Sequence, residues 1–182
     1  MKPIGPLMAE HRRIERMLAL IDGEKGKPGR LRPAFVAGVA DFFRTYADRC
    51  HHGKEEDIYF EALREKPLSR KHREMMDDLI AEHRYARETV QRMAQANARY
   101  AAGDEAAYDE VLTYIDALRE FYPSHINKED NHFFYPSLEY LSREEQGHML
   151  DEFQDFDGSL IHEKYEELIE ELRAGSAEAS GP

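Results

Sequence analysis

Apolar residues recur along this chain at spacings of three and four, the period of an α-helix with one buried face. Ile4, Leu7, Ile14, Leu18 and Ile21 share one stripe, and His11 sits in the middle of it. The segment DGEKGKPGRLRP, residues 22–33, breaks the pattern and predicts a loop. A second helix is expected from about residue 34 to 66, with Phe35, Val39, Phe43, Tyr46, Ala47, Cys50, His51, Glu55 and Ile58 facing inward. Pro67 stops it, and Ser69 caps a third helix running to about residue 102. That helix carries Met76, Leu79, Ile80, His83, Ala86, Val90 and Met93 on one face. After a tight break at Gly103 and Asp104, a fourth helix aligns Val111, Ile115, Leu118, Tyr122, His125, Glu129 and Phe133. Pro123 predicts a bend just ahead of His125, and Pro136 an end or kink. Ser142 and Glu145 read as a capping box. They open a last helical region to about Arg173, bent at Gly158, whose apolar side holds Leu160, Ile161, Tyr165, Leu168, Ile169 and Leu172. No strand-like alternation of useful length appears. The expected fold is all-α, an antiparallel up-down four-helix bundle with an additional C-terminal helix. Residues 1–174 make one domain, and GSAEASGP, residues 175–182, is expected to be a disordered tail.

The polar positions on these stripes repeat. Residues 9–12 and 81–84 both read Ala-Glu-His-Arg. A second match follows each: HHGKEEDIYF at residues 51–60 and HINKEDNHFF at 125–134. The unit is a histidine, a long gap, then His-x-x-x-Glu; the gap is 40 residues from His11 to His51 and 42 from His83 to His125. Residues i and i+4 of a helix lie one turn apart on one face. His51 and Glu55 therefore reach one point together, as do His125 and Glu129, and His11 and His83 each add an imidazole from a neighbouring helix. Helix lengths bring His83 and His125 to nearly the same depth at a rise of about 1.5 Å per residue.

A lone histidine on a helix face is most often a packed or surface residue, and a lone His-x-x-x-Glu is an ordinary helix pair. Two copies at matched distance, on inward faces where charge needs a partner, point instead to a two-metal site. The natural division gives His11 and His51 to one metal and His83 and His125 to the other, with Glu55 and Glu129 bridging. Imidazole and carboxylate donors suit iron or manganese better than a thiolate-rich structural zinc site. Open positions would remain for O2, NO or peroxide. His162 is expected as an additional ligand or as a hydrogen-bonding neighbour of the ligands. His52 with Glu56 offers a shifted frame, but the Lys-Glu register of the repeats selects His51 and Glu55. His132 and His148 are read as neighbouring or exposed, His72 as exposed, Cys50 as a small buried residue, and Tyr59, Tyr122 and Tyr135 as packing groups.

A chain of 182 residues is long enough for one real core. Its net charge of −12 opposes nucleic acid and anionic membrane surfaces as partners. No apolar run approaches the roughly 18 residues of a membrane span, and the first residues hold no signal-peptide stretch. One cysteine excludes an internal disulfide and fits a reducing cytoplasm.

In EHRRIERML, HHGKEEDIYFEAL, EHRYARETV and HINKEDNHFFYPSL, the chain resembles the hemerythrin-like, or HHE cation-binding, family over roughly residues 5–140. The resemblance implies a four-helix bundle around a non-heme di-iron centre, oxo- or hydroxo-bridged, with manganese or zinc as alternatives. The family's ligands fall on His11, His51, Glu55, His83, His125 and Glu129. Oxygen-carrying members have another histidine where this chain has Arg87, and an Asp five residues after the fourth-helix histidine, where this chain has Glu129 at four. That weakens a pure carrier role. The expected function is binding or reduction of O2, NO or H2O2 in stress response, with an external electron donor. Turnover in the manner of a di-iron peroxide or nitric oxide reductase is left open. The alternative is an iron- or oxygen-sensing or iron-handling module, including iron–sulfur repair, without turnover. Oligomeric state is not legible.

Overall fold

A computed structural model describes residues 2–157 and 161–178. Six helices carry the chain, and no strand occurs among the described residues. They are α1 (Ile4–Lys25), α2 (residues 33–64), α3 (Arg70–Ala101), α4 (residues 107–140), α5 (Arg143–Asp157) and α6 (Ile161–Glu178). α1 packs on α2 and α4, and α3 packs on the same two, closing the antiparallel bundle. α6 lies over α1 and α2, and α5 touches the far part of α2. The C-terminal pair thus lies mainly against the half of the bundle built from the first repeat.

The inward stripes form two apolar clusters. One joins Ile14, Leu18, Phe43, Tyr46, Met93, Ile115 and Tyr122 with Tyr165 and Ile169 of α6. The other joins Ile4, Leu7, Tyr59, Phe60, Leu79 and Phe133 with Met149 and Phe153 of α5. Each large apolar side chain so buried contributes roughly 1.5–3 kcal/mol. The histidines and glutamates of the repeats occupy the layer between the clusters, fixed from both sides.

Local rules account for the ends. The Ser69 side chain accepts the His72 backbone N–H at 3.2 Å, capping α3. Ser142 and Glu145 bond reciprocally at 2.8 and 3.2 Å, which is the expected box. α1 continues through residues expected in a loop: Asp22 and Lys25 pair with Arg119 and Asp116 of α4, and the helix closes at Gly26. The loop beyond turns through Gly29, whose φ of +103° suits a residue without Cβ.

Two π-helical turns, Glu55–Tyr59 and Glu129–Phe133, lie at matching places in the repeats, and a longer π segment, Phe42–His52, precedes the first. Each π turn takes up an extra residue and rotates the rest of the helix about its axis. Ile58, expected inside, is therefore only half-buried, while Tyr59 and Phe60 are fully buried. α4 is not interrupted at Pro123; its irregularity comes later, at the π turn. Past Pro136 it tightens into a 3₁₀ turn, Leu138–Tyr140, and ends. The last helical region is two helices, and Gly158 and Leu160 lie outside the described residues. α6 runs on through Gly175, whose carbonyl accepts from Arg32 at 3.1 Å. Residues 179–182 of the expected tail also lie outside the described residues.

Candidate metal centre

The layer between the clusters brings together His11 from α1, His51 and Glu55 from α2, His83 from α3, and His125 and Glu129 from α4. All six are at most 2% exposed. Glu55 Oε1 faces His51 Nε2 at 3.4 Å and its Oε2 faces His83 Nε2 at 3.4 Å. Glu129 Oε2 faces His11 Nε2 at 3.1 Å and His125 Nε2 at 3.4 Å, and its Oε1 faces His83 Nε2 at 3.5 Å. Each carboxylate thus lies between imidazoles of both repeats. One donor atom from each of His11, His51, Glu55 and Glu129 falls within 4.8 Å of the others.

None of the four Nε2 atoms and none of the four carboxylate oxygens has a hydrogen-bond partner. Buried polar atoms are nearly always satisfied, and one left alone costs roughly 1–3 kcal/mol. Eight such atoms meeting in one buried layer fit metal binding.

The other ring nitrogen of each histidine is engaged. His11 Nδ1 donates to Asp130 at 2.7 Å, His51 Nδ1 to Glu10 at 2.9 Å, His83 Nδ1 to Glu56 at 2.7 Å and His125 Nδ1 to Glu82 at 2.8 Å. An ionised carboxylate can only accept, so Nδ1 carries a proton in each ring, and Nε2 is the nitrogen turned inward that can bind a cation once unprotonated. Each carboxylate is held by a cation in turn. Arg12 reaches Asp130 at 2.5 Å and Arg87 reaches Glu56 at 2.7 Å, while Lys54 bonds Glu10 and Lys128 bonds Glu82.

The whole constellation repeats. His11 and His51 meet edge-on at 4.5 Å, as His83 and His125 do at 5.0 Å. Phe134 stacks on His11 at 5.8 Å and Phe60 on His83 at 6.0 Å. Glu10, Glu82 and Asp130 were not singled out from the sequence, and Glu56 entered only in the shifted frame with His52, although all four lie inside the repeated words: Glu10 and Glu82 precede a ligand-type histidine, and Glu56 and Asp130 follow a ligand-type glutamate. Their adjacency in sequence hides that each serves a histidine on another helix.

In the metal-free chain the two central glutamates differ. Burial, reinforced by the Glu129 charge, pushes the Glu55 carboxyl well above the carboxylate range. Burial works on Glu129 in the same sense, but His125, His11 and His83 outweigh it and hold Glu129 well below that range. Burial also opposes a proton on His11, yet its bond to Asp130 and the facing Glu129 carboxylate push it up to about 9. Burial and the nearby His11 charge bring His51 down to about 4.

His162 stands outside this centre. Its Nε2 meets Asp157 at 2.9 Å and Glu10 at 3.5 Å, and its Nδ1 meets the Tyr46 hydroxyl at 3.1 Å. It therefore supports the carboxylate that holds His51. Cys50 donates its thiol to Asp157 at 3.2 Å, and burial raises its pKa. His132 and His148 are exposed, as expected. His72 is half-buried rather than exposed, because its Nδ1 meets the Tyr140 hydroxyl at 2.9 Å. Tyr59 and Tyr122 pack in the core, whereas Tyr135, expected to pack, is 53% exposed.

The hemerythrin HHE cation-binding domain model matches residues 2–135 and again 77–180. The chain belongs to the hemerythrin HHE cation-binding family. The second match starts just ahead of Glu82 and His83 and overlaps the first, as suits a chain that repeats its own motif. Comparison with curated proteins and with solved structures gave no match. The family binds metal cations, and the His/Glu clusters of this bundle are of that character. No helix among the described residues is long and apolar enough to cross a membrane.

Proposed function

We propose that this hemerythrin-family chain is a non-heme di-iron protein that binds or reduces O2, NO or H2O2 in stress response, fed by an external electron donor in the cytoplasm. The observation that carries the reading is the set of eight buried, unpartnered donor atoms meeting in one layer. His11 and His51 would hold one ion and His83 and His125 the other. Glu55 and Glu129, each facing imidazoles of both repeats, would bridge. The donors are imidazole and carboxylate only, a set suited to iron or manganese. The one thiol is turned toward Asp157. A pair of iron ions would supply one-electron redox chemistry and positions open to a small ligand.

The chain's own residues prepare that place. Asp130, Glu10, Glu56 and Glu82 fix the tautomer and direction of the four imidazoles. Arg12, Lys54, Arg87 and Lys128 balance those carboxylates, so the negative charge left facing the cations is that of the two central glutamates. Phe60 and Phe134 shield the His83 and His11 rings from water.

One observation favours a second reading, iron or oxygen sensing or iron handling (iron–sulfur repair included) without turnover. Asp157 at the end of α5 and His162 at the start of α6 contact Lys54 and Glu10, which support His51, so occupancy of the centre can be felt by the C-terminal pair. The deciding experiment adds O2, H2O2 and NO separately to the reduced, iron-loaded protein and follows its visible spectrum. Rapid peroxide or NO consumption that recycles with reductant supports an enzyme, and a stable reversible O2 adduct supports carriage. Iron uptake with no response to any of the three would leave sensing or iron handling in place of the first reading.

A further inference from the structure

One imidazole at the centre has no counterpart in the other half. Opposite His52 the second repeat has Ile126. A hydrocarbon therefore fills the matched position, and packing alone does not call for a histidine. His52 is 1% exposed, and neither of its ring nitrogens has a hydrogen-bond partner. That costs free energy unless something binds there.

Its surroundings resemble those of the four histidines already described, with a longer contact in place of the Nδ1 hydrogen bond. Each of those turns Nδ1 to a carboxylate that is itself held by a cation. His52 Nδ1 faces Asp48 Oδ1 at 3.5 Å, and Asp48 accepts the Arg87 Nε–H at 2.5 Å. Arg87 thereby serves two such carboxylates, Asp48 and Glu56. With Nδ1 turned to Asp48, Nε2 remains free. One donor nitrogen from each of His52, His83 and His125 lies within 4.8 Å of the other two. The His52 ring lies parallel to that of His83 with centroids 3.9 Å apart. Parallel rings do not aim at one point, so joint coordination requires the His52 ring to turn. A cavity of about 60 Å³ between α2 and α3, lined by His52, Asp48, Arg87 and Tyr122 among others, gives it room.

We propose that His52 is a third imidazole ligand to the cation held by His83 and His125. The proposal rests on the two-metal reading of the site. It makes the two cations unequal, with two imidazoles on the one at His11 and His51 and three on the other. It also makes His52 the side chain that stands between the α2–α3 cavity and that second cation.

The test compares the full chain with His52→Ile, which installs the residue of the second repeat, and with Asp48→Asn, which leaves the imidazole and weakens its support. Each is loaded anaerobically with Fe(II), iron per chain is counted, and the two dissociation steps are resolved by competition with a chromophoric chelator. X-ray absorption at the iron edge counts the imidazoles. Wild type should hold two irons with unequal affinity. His52→Ile should weaken one step by about tenfold or more and lose one of five imidazoles shared by the pair, leaving the other step within twofold. Asp48→Asn should weaken the same step, which carries the test if His52→Ile does not fold. A wild type holding two irons beside variants with both steps unchanged, or an unchanged imidazole count in His52→Ile, overturns the proposal. A wild type that takes up no iron instead refutes the two-metal reading, and is seen without any variant.

Discussion

Lys54 and Lys128 occupy equivalent places in the repeats, each bonded to the carboxylate that holds a central histidine, yet their surroundings differ. Lys54 is fully buried, beneath α5, and bonds both Glu10 and Asp157. Lys128 and its partner Glu82 are each 28% exposed in their side chains. Replacing either lysine with Met keeps most of the apolar stem and removes the charge. At Lys54 this takes the lysine cation from two covered carboxylates, and breaking a buried pair from one side costs about 3–5 kcal/mol. At Lys128 water reaches the stranded glutamate, and an exposed pair contributes only about 0–1 kcal/mol. In a chain of this size each kcal/mol moves the melting temperature by roughly 2–4 °C. Lys54→Met should therefore lower the melting temperature of the metal-free protein by roughly 6–20 °C, and Lys128→Met by less than about 4 °C. Scanning calorimetry with matched urea titrations measures both. Equal losses in the two variants would show that the C-terminal helices do not bury the first-repeat half as described.

The His11 shift sets a pH dependence. Its folded-state value of about 9 exceeds the ordinary 6.5, so its contribution is complete below about pH 6.5 and is lost as pH rises through 9. Calorimetry should find the metal-free protein losing stability across that window, while the iron-loaded form, whose metal displaces the proton, loses less; parallel curves would count against His11 as a ligand. Glu82→Gln and Asp130→Asn should each weaken iron binding by about 10–100-fold without unfolding the chain, because they release the direction and tautomer of His125 and His11. Chelator competition reads this directly, and unchanged affinity in both would remove the supporting role assigned to these carboxylates.

How much the sequence disclosed depended on the range of the interaction. The stripes around Ile14, Leu79 and Ile115 follow from helical period alone, and the Ser69 and Ser142 caps from neighbours three residues apart. The doubled His-x-x-x-Glu pairs singled out His51, Glu55, His125 and Glu129, because one helical turn places i and i+4 together whatever the fold, and the repeated Ala-Glu-His-Arg added His11 and His83. The π turns were not legible, since no local pattern reports the extra residue they absorb, and so Ile58, expected inside, is only half-buried. The reach of α1 to Lys25 depends on Asp22 and Lys25 meeting α4, which no local pattern reports. Glu10, Glu56, Glu82 and Asp130 looked like ordinary charged neighbours until the bundle brought each to a histidine on another helix. His52 was hidden by its neighbour His51, which the repeat favours.

The central claim is that six side chains of four helices hold two cations. Its most direct measurement is iron per chain after anaerobic Fe(II) loading and desalting, for wild type, Glu55→Ala and Glu129→Ala, with helicity checked in parallel. The account predicts two irons per folded wild-type chain and clear loss in both variants. Folded wild type without stoichiometric iron, or two irons retained in both variants, would contradict it.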